Sequence, residues 1–444
     1  MPLLQKSFTS PGRVLLFSTI IMIILGTLLL ALPHAQVITH TWAELFFTAT
    51  SATCVTGFLT ISLDSFTLFG QSVILLLMQI GGLGLITLSV FLMSLFINIG
   101  MGTEFMANQL LDLDNRKSSR RIIIFIGVFT LIVEGIGTLL IYGAIKTPDA
   151  SITHTLFVSC FQAVSSFCNA GLTLLPGGMP AYQDNSFLLH SMTLLMLMGG
   201  FGFIVWRDLG IALKNYIQKK RVSWSLHTKI VFQSTSLLIA VSVIVIGILE
   251  YTNLIYSHTI APYHTLIFNS ISYHGAGFST LNEYTLHPTT LLVIMIIAFI
   301  GSSPGSTGSG IKVTTFTLIL ATIYAVIKGN TKVNLKGRRI PDELIFKAVA
   351  IIVVSLVWTA LTLFCLLITE PSMQFIDLLF ETVSALTNLG LKHVPTSLFS
   401  ATSHYILSAA MLIGRIGSLT LILALKGRKE RKEFNYPEER IMIG

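Results

Sequence analysis

Charge is what this chain of 444 residues lacks. Asp, Glu, Lys and Arg together make up 11% of it, against about 25% in soluble domains. A soluble protein of this size needs a polar shell, and 28 basic and 20 acidic residues cannot supply one. With 53% apolar residues, the chain reads as a polytopic membrane protein. No stretch of soluble composition is long enough for a domain, which excludes a nucleotide-binding or catalytic head on this polypeptide. A convergent acid, base or nucleophile set is also missing, so a polytopic membrane enzyme, such as an acyl or glycosyl transferase, is the weaker alternative. Cysteine is scarce: Cys54, Cys160, Cys168 and Cys365 lie in or beside apolar segments, at neither disulfide nor CxxC spacing. The first apolar run ends without a small-residue cleavage site, so it reads as a retained helix and not a signal peptide.

Acidic residues are too few to balance the basic ones, and the net charge is +8. In a soluble protein that excess suggests nucleic acid; its placement here excludes nucleic acid as the reading. Of the 28 Lys and Arg, 24 fall into five clusters: Lys6 and Arg13, Arg116 to Arg121, Arg207 to Lys229, Lys328 to Lys347, and Lys426 to Arg440. Such residues accumulate on the cytoplasmic side of membrane proteins. Both termini and three loops are therefore expected inside, and the number of crossings is even.

A spanning helix needs about 20 mainly apolar residues. Eight segments qualify, over 13–32, 70–97, 121–144, 187–213, 228–250, 289–327, 344–368 and 402–425. Four shorter stretches, 40–52, 153–166, 259–272 and 373–386, are too short to cross and lie on the external side, so each is expected to enter and return. Each leads to a glycine in a similar setting: Gly57, Gly171, Gly277 and Gly390, spaced 114, 106 and 113 residues apart. A second glycine, Gly81, Gly199, Gly301 or Gly414, follows at 24, 28, 24 and 24 residues. Two motifs repeating in step identify an internal repeat. The expected fold is all-α, with eight transmembrane helices and four re-entrant pore helices in tandem helix, pore loop, helix units around a pseudo-fourfold axis. The units cover 1–110, 111–218, 219–336 and 337–444, the last with a C-terminal tail.

Small residues ending in glycine let the backbone extend with its carbonyls turned inward. Rings of carbonyls replace the water shell of a monovalent cation. Each short helix entering from outside would also aim its negative C-terminal end at the axis. No acidic ring occupies the aligned positions, which argues against a divalent filter.

With these loops, the run Cys54-Val-Thr-Gly-Phe58, the run Ile80-Gly-Gly-Leu-Gly84, the run Ile413-Gly-Arg-Ile-Gly417 and the Tyr436-Pro tail, the sequence resembles the Trk/Ktr/HKT superfamily of potassium transporters along essentially its whole length. It is most similar to the membrane subunit of the bacterial Ktr system. The resemblance implies potassium uptake and no enzyme activity. It assigns the filter to Gly57, Gly171, Gly277 and Gly390 with the residues ahead of them: Val55 and Thr56, Asn169 and Ala170, Gly275 and Ala276, Asn388 and Leu389. A serine at the first glycine accompanies sodium preference in the plant branch; Gly57 here favours potassium over a sodium-selective relative. Whether sodium is coupled or merely stimulates stays open. The resemblance further implies a homodimer, one pore per subunit, docked on a cytoplasmic ring of soluble regulatory subunits that bind nucleotide. No cofactor is expected on this chain, which lacks a GxGxxG-bearing βαβ unit.

The third unit differs. Gly301, Ser302, Ser303, Pro304, Gly305, Ser306, Thr307, Gly308, Ser309 and Gly310 offer no apolar side chain to lipid, and Pro304 removes a donor. The helix should break there and lie across the cavity beneath the filter; the resemblance makes 301–312 an intramembrane gating loop. Arg415 is the only charge at a position otherwise held by Gly82, Gly200 and Ser302. A mid-helix charge costs ~2.5–3.5 kcal/mol, and Arg415 lies too deep to snorkel, so it is expected to face the pore beside the loop. Lys312 either anchors at the interface or steadies the gate. Glu134 is a buried carboxylate that pairs with a neighbouring helix or joins an ion path. Cys54, Cys168 and His274 share one aligned position and could ligate a metal, although filter side chains usually point away from the axis. The basic tail from Lys426 to Lys432 could meet membrane lipids, a subunit boundary or a soluble partner.

Overall fold

The computed structural model describes residues 11–83, 119–147, 151–222, 224–256, 263–281, 283–417 and 420. The second predicted span beyond 83, Gly84, the start of the basic cluster at 116 and the tail from 426 lie outside the described residues.

Fourteen α-helices carry the described chain: α1 Pro11–Leu30, α2 Trp42–Cys54, α3 Leu68–Gly82, α4 Ser119–Ile145, α5 Ile152–Cys168, α6 Ser186–Gly200, α7 Phe203–Ile217, α8 Leu226–Tyr256, α9 Tyr263–Ser272, α10 Pro288–Phe299, α11 Val313–Ile327, α12 Asp342–Thr369, α13 Phe375–Thr387 and α14 Ala401–Ile416. Strand structure among the described residues is confined to two pairs of two-residue strands: β1 Ile300–Gly301 with β2 Ile311–Lys312, in parallel, and β3 Asn334–Leu335 with β4 Arg338–Arg339, antiparallel. Among these residues four helices are long and apolar enough to cross a membrane, and a fifth span results if the bent pair α6 and α7 is counted as one.

The helix starts are written locally. At α2, Thr41 accepts from the Glu44 N–H while the Glu44 carboxylate accepts from the Thr41 N–H at 2.9 Å, a reciprocal cap. Thr67, Asn185 and Ser400 cap α3, α6 and α14 through their side chains.

Polarity is arranged inside out. The long helices α8 and α12 expose rows such as Val241, Ile244 and Ile248, or Val353, Leu356, Val357 and Phe364, the surface expected against lipid tails. The short helices bury Thr, Ser, Asn and Gln instead: Thr50 and Ser51 in α2, Gln162 and Ser165 in α5, Asn269 and Ser270 in α9, Thr382 and Ser384 in α13. Their contacts run around a circuit, since α3 packs on α5, α6 on α9, α10 on α13, and α14 closes back on α2.

The second glycines make these approaches possible. A methyl group on Gly81, Gly199 or Gly414 would collide with the carbonyl of Thr53, Phe167 or Leu386 at the end of a short helix. In the third unit Gly301 instead faces the Ser309 carbonyl.

The fourth predicted span, 187–213, is two helices bent by 96° between Gly200 and Phe203. Gly202 sits at φ +89° in the break, and Gly417 takes φ +91° just past α14. Gly202 and Gly417 thus each sit just past a helix end in a backbone conformation that other residues rarely adopt.

Candidate functional site

Three of the short helices, α2, α5 and α13, stop in the same way, whereas α9 ends at Ser272, five residues before its glycine. Val55, Asn169 and Asn388 take left-handed φ of 57°, 58° and 52°, and Gly275 holds the corresponding place in the third unit at φ +119°. Two residues later, Gly57, Gly171, Gly277 and Gly390 again have positive φ, from 67° to 102°. The left-handed residue reverses the chain at the helix end. The glycine then permits an extension that a Cβ would block.

The four glycines are neighbours in space. A methyl on Gly57 would meet the Ala170 carbonyl at 2.8 Å, and one on Gly171 would meet the Ala276 carbonyl at 3.0 Å. One on Gly277 would collide with the Leu389 carbonyl, and one on Gly390 with the Thr56 carbonyl. Each glycine therefore faces the carbonyl that precedes the next glycine, and the last contact returns to the first loop. Thr56, Ala170, Ala276 and Leu389 contribute these four carbonyls.

Serines ahead of these glycines hold the loops in place. Ser165 donates to the Leu172 carbonyl at 2.6 Å and accepts from its N–H at 3.1 Å; Ser384 donates to the Leu391 carbonyl at 2.6 Å. Ser51 accepts from the Gly57 N–H at 3.1 Å. In the third unit Ser272 takes this part, accepting from the Phe278 N–H at 2.7 Å. Ser51, Ser165 and Ser384 share one position, six residues before the glycine, and that recurrence was the signal available in the sequence.

α10 ends at Phe299 and α11 begins at Val313. The segment between them folds back on itself: Ile300 pairs with Ile311 and Gly301 with Lys312, and the Ser302 N–H donates to the Ser309 carbonyl at 3.3 Å. Gly305 and Gly310 turn it, at φ +67° and +81°. It docks on the break between α6 and α7. Ser303 and Thr307 donate their N–H groups to the carbonyls of Gly200 and Gly199 at 3.3 and 3.2 Å, and the Phe203 N–H returns a bond to the Gly305 carbonyl at 2.9 Å. The Ser303 hydroxyl donates to the Phe201 carbonyl, and that of Ser306 to the Ser303 carbonyl at 2.6 Å. Lys312 turns into the loop, its Nζ donating to the Gly308 carbonyl at 2.8 Å. A methyl on Gly308 would collide with the Ser302 hydroxyl, so the loop is packed tightly around this point.

Arg415 faces the same loop. Its guanidinium donates to the Thr307 carbonyl at 2.6 Å, to the Ser309 hydroxyl at 2.9 Å and to the Gly81 carbonyl at the end of α3. One side chain thus ties the loop to the first and fourth units. The set-aside groups are dispersed: Cys168 Sγ lies against Gly82, Cys54 is buried in a separate apolar cluster, and His274 Nε2 lies 3.2 Å from the Ser242 hydroxyl on α8. Glu134 accepts from Gln79 on α3 at 3.0 Å, which supports its reading as a partner for a neighbouring helix.

A family described as "TrkH: Cation transport protein" matches residues 11–434. The chain is 32% identical over 440 residues to "Ktr system potassium uptake protein B" of Bacillus subtilis, covering 98% of this chain and 97% of that protein. It is 30% identical over 450 residues to "Potassium/sodium uptake protein NtpJ" of Enterococcus hirae, covering 98% and 97%. In fold it is similar to the crystal structure of the potassium transporter TrkH from Vibrio parahaemolyticus, with a TM-score of 0.69, 18% identity, and coverage of 92% of this chain and 84% of that one.

Proposed function

Since this chain belongs to the TrkH family of cation transport proteins, and so is a multi-pass membrane transporter and not an enzyme, we propose that it takes up potassium through a filter of backbone carbonyls from four tandem units. The observation that carries this reading is the circuit of glycine-to-carbonyl approaches running Gly57, Gly171, Gly277, Gly390 and back to Thr56. Carbonyls held this closely replace the hydration of a monovalent cation, and the C-terminal ends of four short helices favour positive charge there. The relatives named for potassium support the choice of ion.

The segment 301–312 is the gate in this reading, lying below the filter and held by Arg415, whose charge also raises the barrier to a cation. Inward movement is driven by the membrane potential, worth about 2.3 kcal/mol per charge per 100 mV, or roughly fifty-fold accumulation. The protein sits in the cytoplasmic membrane as a homodimer with both termini inside. Control resides on a separate soluble nucleotide-binding subunit, in keeping with relatives named as parts of a Ktr system and with the low charge content of this chain. The test is growth of a transport-deficient host at low potassium. Restoration, alone or with a soluble partner, is expected, and failure in both cases refutes the reading.

A further inference from the structure

Asn169 and Asn388 hold the same position in the second and fourth loops, two residues before the glycine, with nearly the same φ of 58° and 52°. What their side-chain amides hold differs. Asn388 Nδ2 donates to Thr56 Oγ1 in the next loop at 2.8 Å and to the Met411 carbonyl of α14 at 3.0 Å. Its partners lie in the first filter loop and in α14, neither of them in the intramembrane loop. Asn169 Nδ2 donates to Thr307 Oγ1 in the intramembrane loop at 2.7 Å, with a longer bond of 3.4 Å to the Phe167 carbonyl of its own helix.

Thr307 is built into the second unit. It is fully buried, its hydroxyl donates to the Phe167 carbonyl at 2.9 Å, and its backbone is held by Gly199 and Arg415. A methyl on Gly199 would meet Thr307 Oγ1 at 2.6 Å, whereas one on Gly414, the corresponding glycine of the fourth unit, would meet Asn388 Oδ1 at 2.7 Å. Beside these equivalent glycines, the fourth unit supplies its own asparagine and the second unit borrows a hydroxyl from the loop.

We propose that Thr307 makes the intramembrane loop a structural part of the filter, so that moving the loop withdraws the support that positions Asn169 and loosens the second of the four filter loops. The inference rests on reading 302–309 as the gate. Asn169 is buried, and without Thr307 its amide keeps only the 3.4 Å bond to the Phe167 carbonyl, so one of its donors is left unmet. The coupling is reciprocal by linkage: if the seated loop tightens the filter on potassium, then potassium in the filter holds the loop seated.

The test uses the full-length protein in proteoliposomes, measuring half-saturating potassium, maximal flux and the potassium-to-sodium ratio. Thr307→Val removes the hydroxyl while keeping the shape and the backbone bonds; Thr307→Ser keeps the hydroxyl. Thr307→Val is expected to raise half-saturation by about fivefold or more and to lower the ion ratio, and Thr307→Ser to restore both. Asn169→Leu should give the same shift, and the double variant no more than either alone. A Thr307→Val protein with higher maximal flux but unchanged half-saturation and ratio overturns the proposal, as does failure of Thr307→Ser to restore them. Failure of the gate reading is separate: it would appear as regulated, unchanged flux after deletion within 302–309.

Discussion

Arg415 and Thr307 are 108 residues apart in the chain and meet at 2.6 Å, guanidinium to carbonyl. The same guanidinium reaches the Gly81 carbonyl, so it bridges the loop to a helix of the first unit. A charge within an apolar segment is tolerated here because backbone carbonyls and a hydroxyl accept its protons.

That bridge separates two roles of Arg415. Arg415→Ala should raise potassium flux several-fold, through loss of both the tether and the positive charge. Arg415→Lys keeps the charge but cannot span two carbonyls as a planar fork does. Its flux should fall between those of Arg415→Ala and the unaltered protein. A lysine variant indistinguishable from the arginine protein in rubidium uptake would assign the whole effect to charge.

Shortening the loop within 302–309 should give a protein that conducts permanently, with or without the soluble partner proposed above. Uptake assays with and without that partner read this directly. The loop bonds to the α6–α7 break are lost in such a variant, whereas the pairing of Gly301 with Lys312 remains.

The glycines divide into two groups with opposite expected outcomes. Gly277→Ala or Gly390→Ala would drive a methyl into the carbonyl of Leu389 or Thr56 at a φ that alanine disfavours, and potassium uptake should be abolished. Gly127, Gly135 and Gly143 on α4 have nothing within 4 Å of an added methyl. Alanine there should leave uptake intact and stabilise the helix by ~0.5–1 kcal/mol, seen as a higher unfolding temperature in detergent.

Glu283 lies in the short turn after the third loop and accepts the Lys392 N–H at 2.9 Å. Burial pushes its carboxyl up to about 7, against the Lys392 N–H bond and charge, which pull it down. The folded protein therefore binds this proton more tightly than the unfolded chain. Its contribution to stability is present in full below about pH 4.5 and is lost as pH rises toward 7. Thermal unfolding between pH 5 and 8 should show stability falling across that window, and Glu283→Gln should flatten the slope. An unchanged slope would assign it to other groups.

Much of the site was legible because glycine is hard to replace where a carbonyl occupies the space a Cβ would need. The recurrence of Gly57, Gly171, Gly277 and Gly390, with Gly81, Gly199, Gly301 and Gly414 behind them, located the loops and the helices packed against them. The interval of 28 in the second unit instead of 24 accompanies a four-residue 3-10 turn at Met179–Tyr182, where the other units have three-residue turns. The break at Gly200 to Phe203 was hidden because the apolar run continues through Phe203, Ile204, Val205 and Trp206 before the first charge at Arg207; Gly202, at φ +89°, marks it. Asn169 and Thr307 showed no link because their partnership is a hydrogen bond between distant segments, which no periodicity records. Ser51, Ser165 and Ser384 recur six residues before the glycine, but the third unit breaks the pattern, with Ser272 five residues before Gly277.

The parallel pairing of Ile300 with Ile311 and Gly301 with Lys312 closes the intervening segment into a ring pinned at its neck. A tethered loop whose ends stay together pays no new closure entropy when it swings back. In the proposed gating, opening and reseating would then cost a handful of hydrogen bonds and not the reordering of a disordered chain, as suits a hinged flap that cycles rapidly.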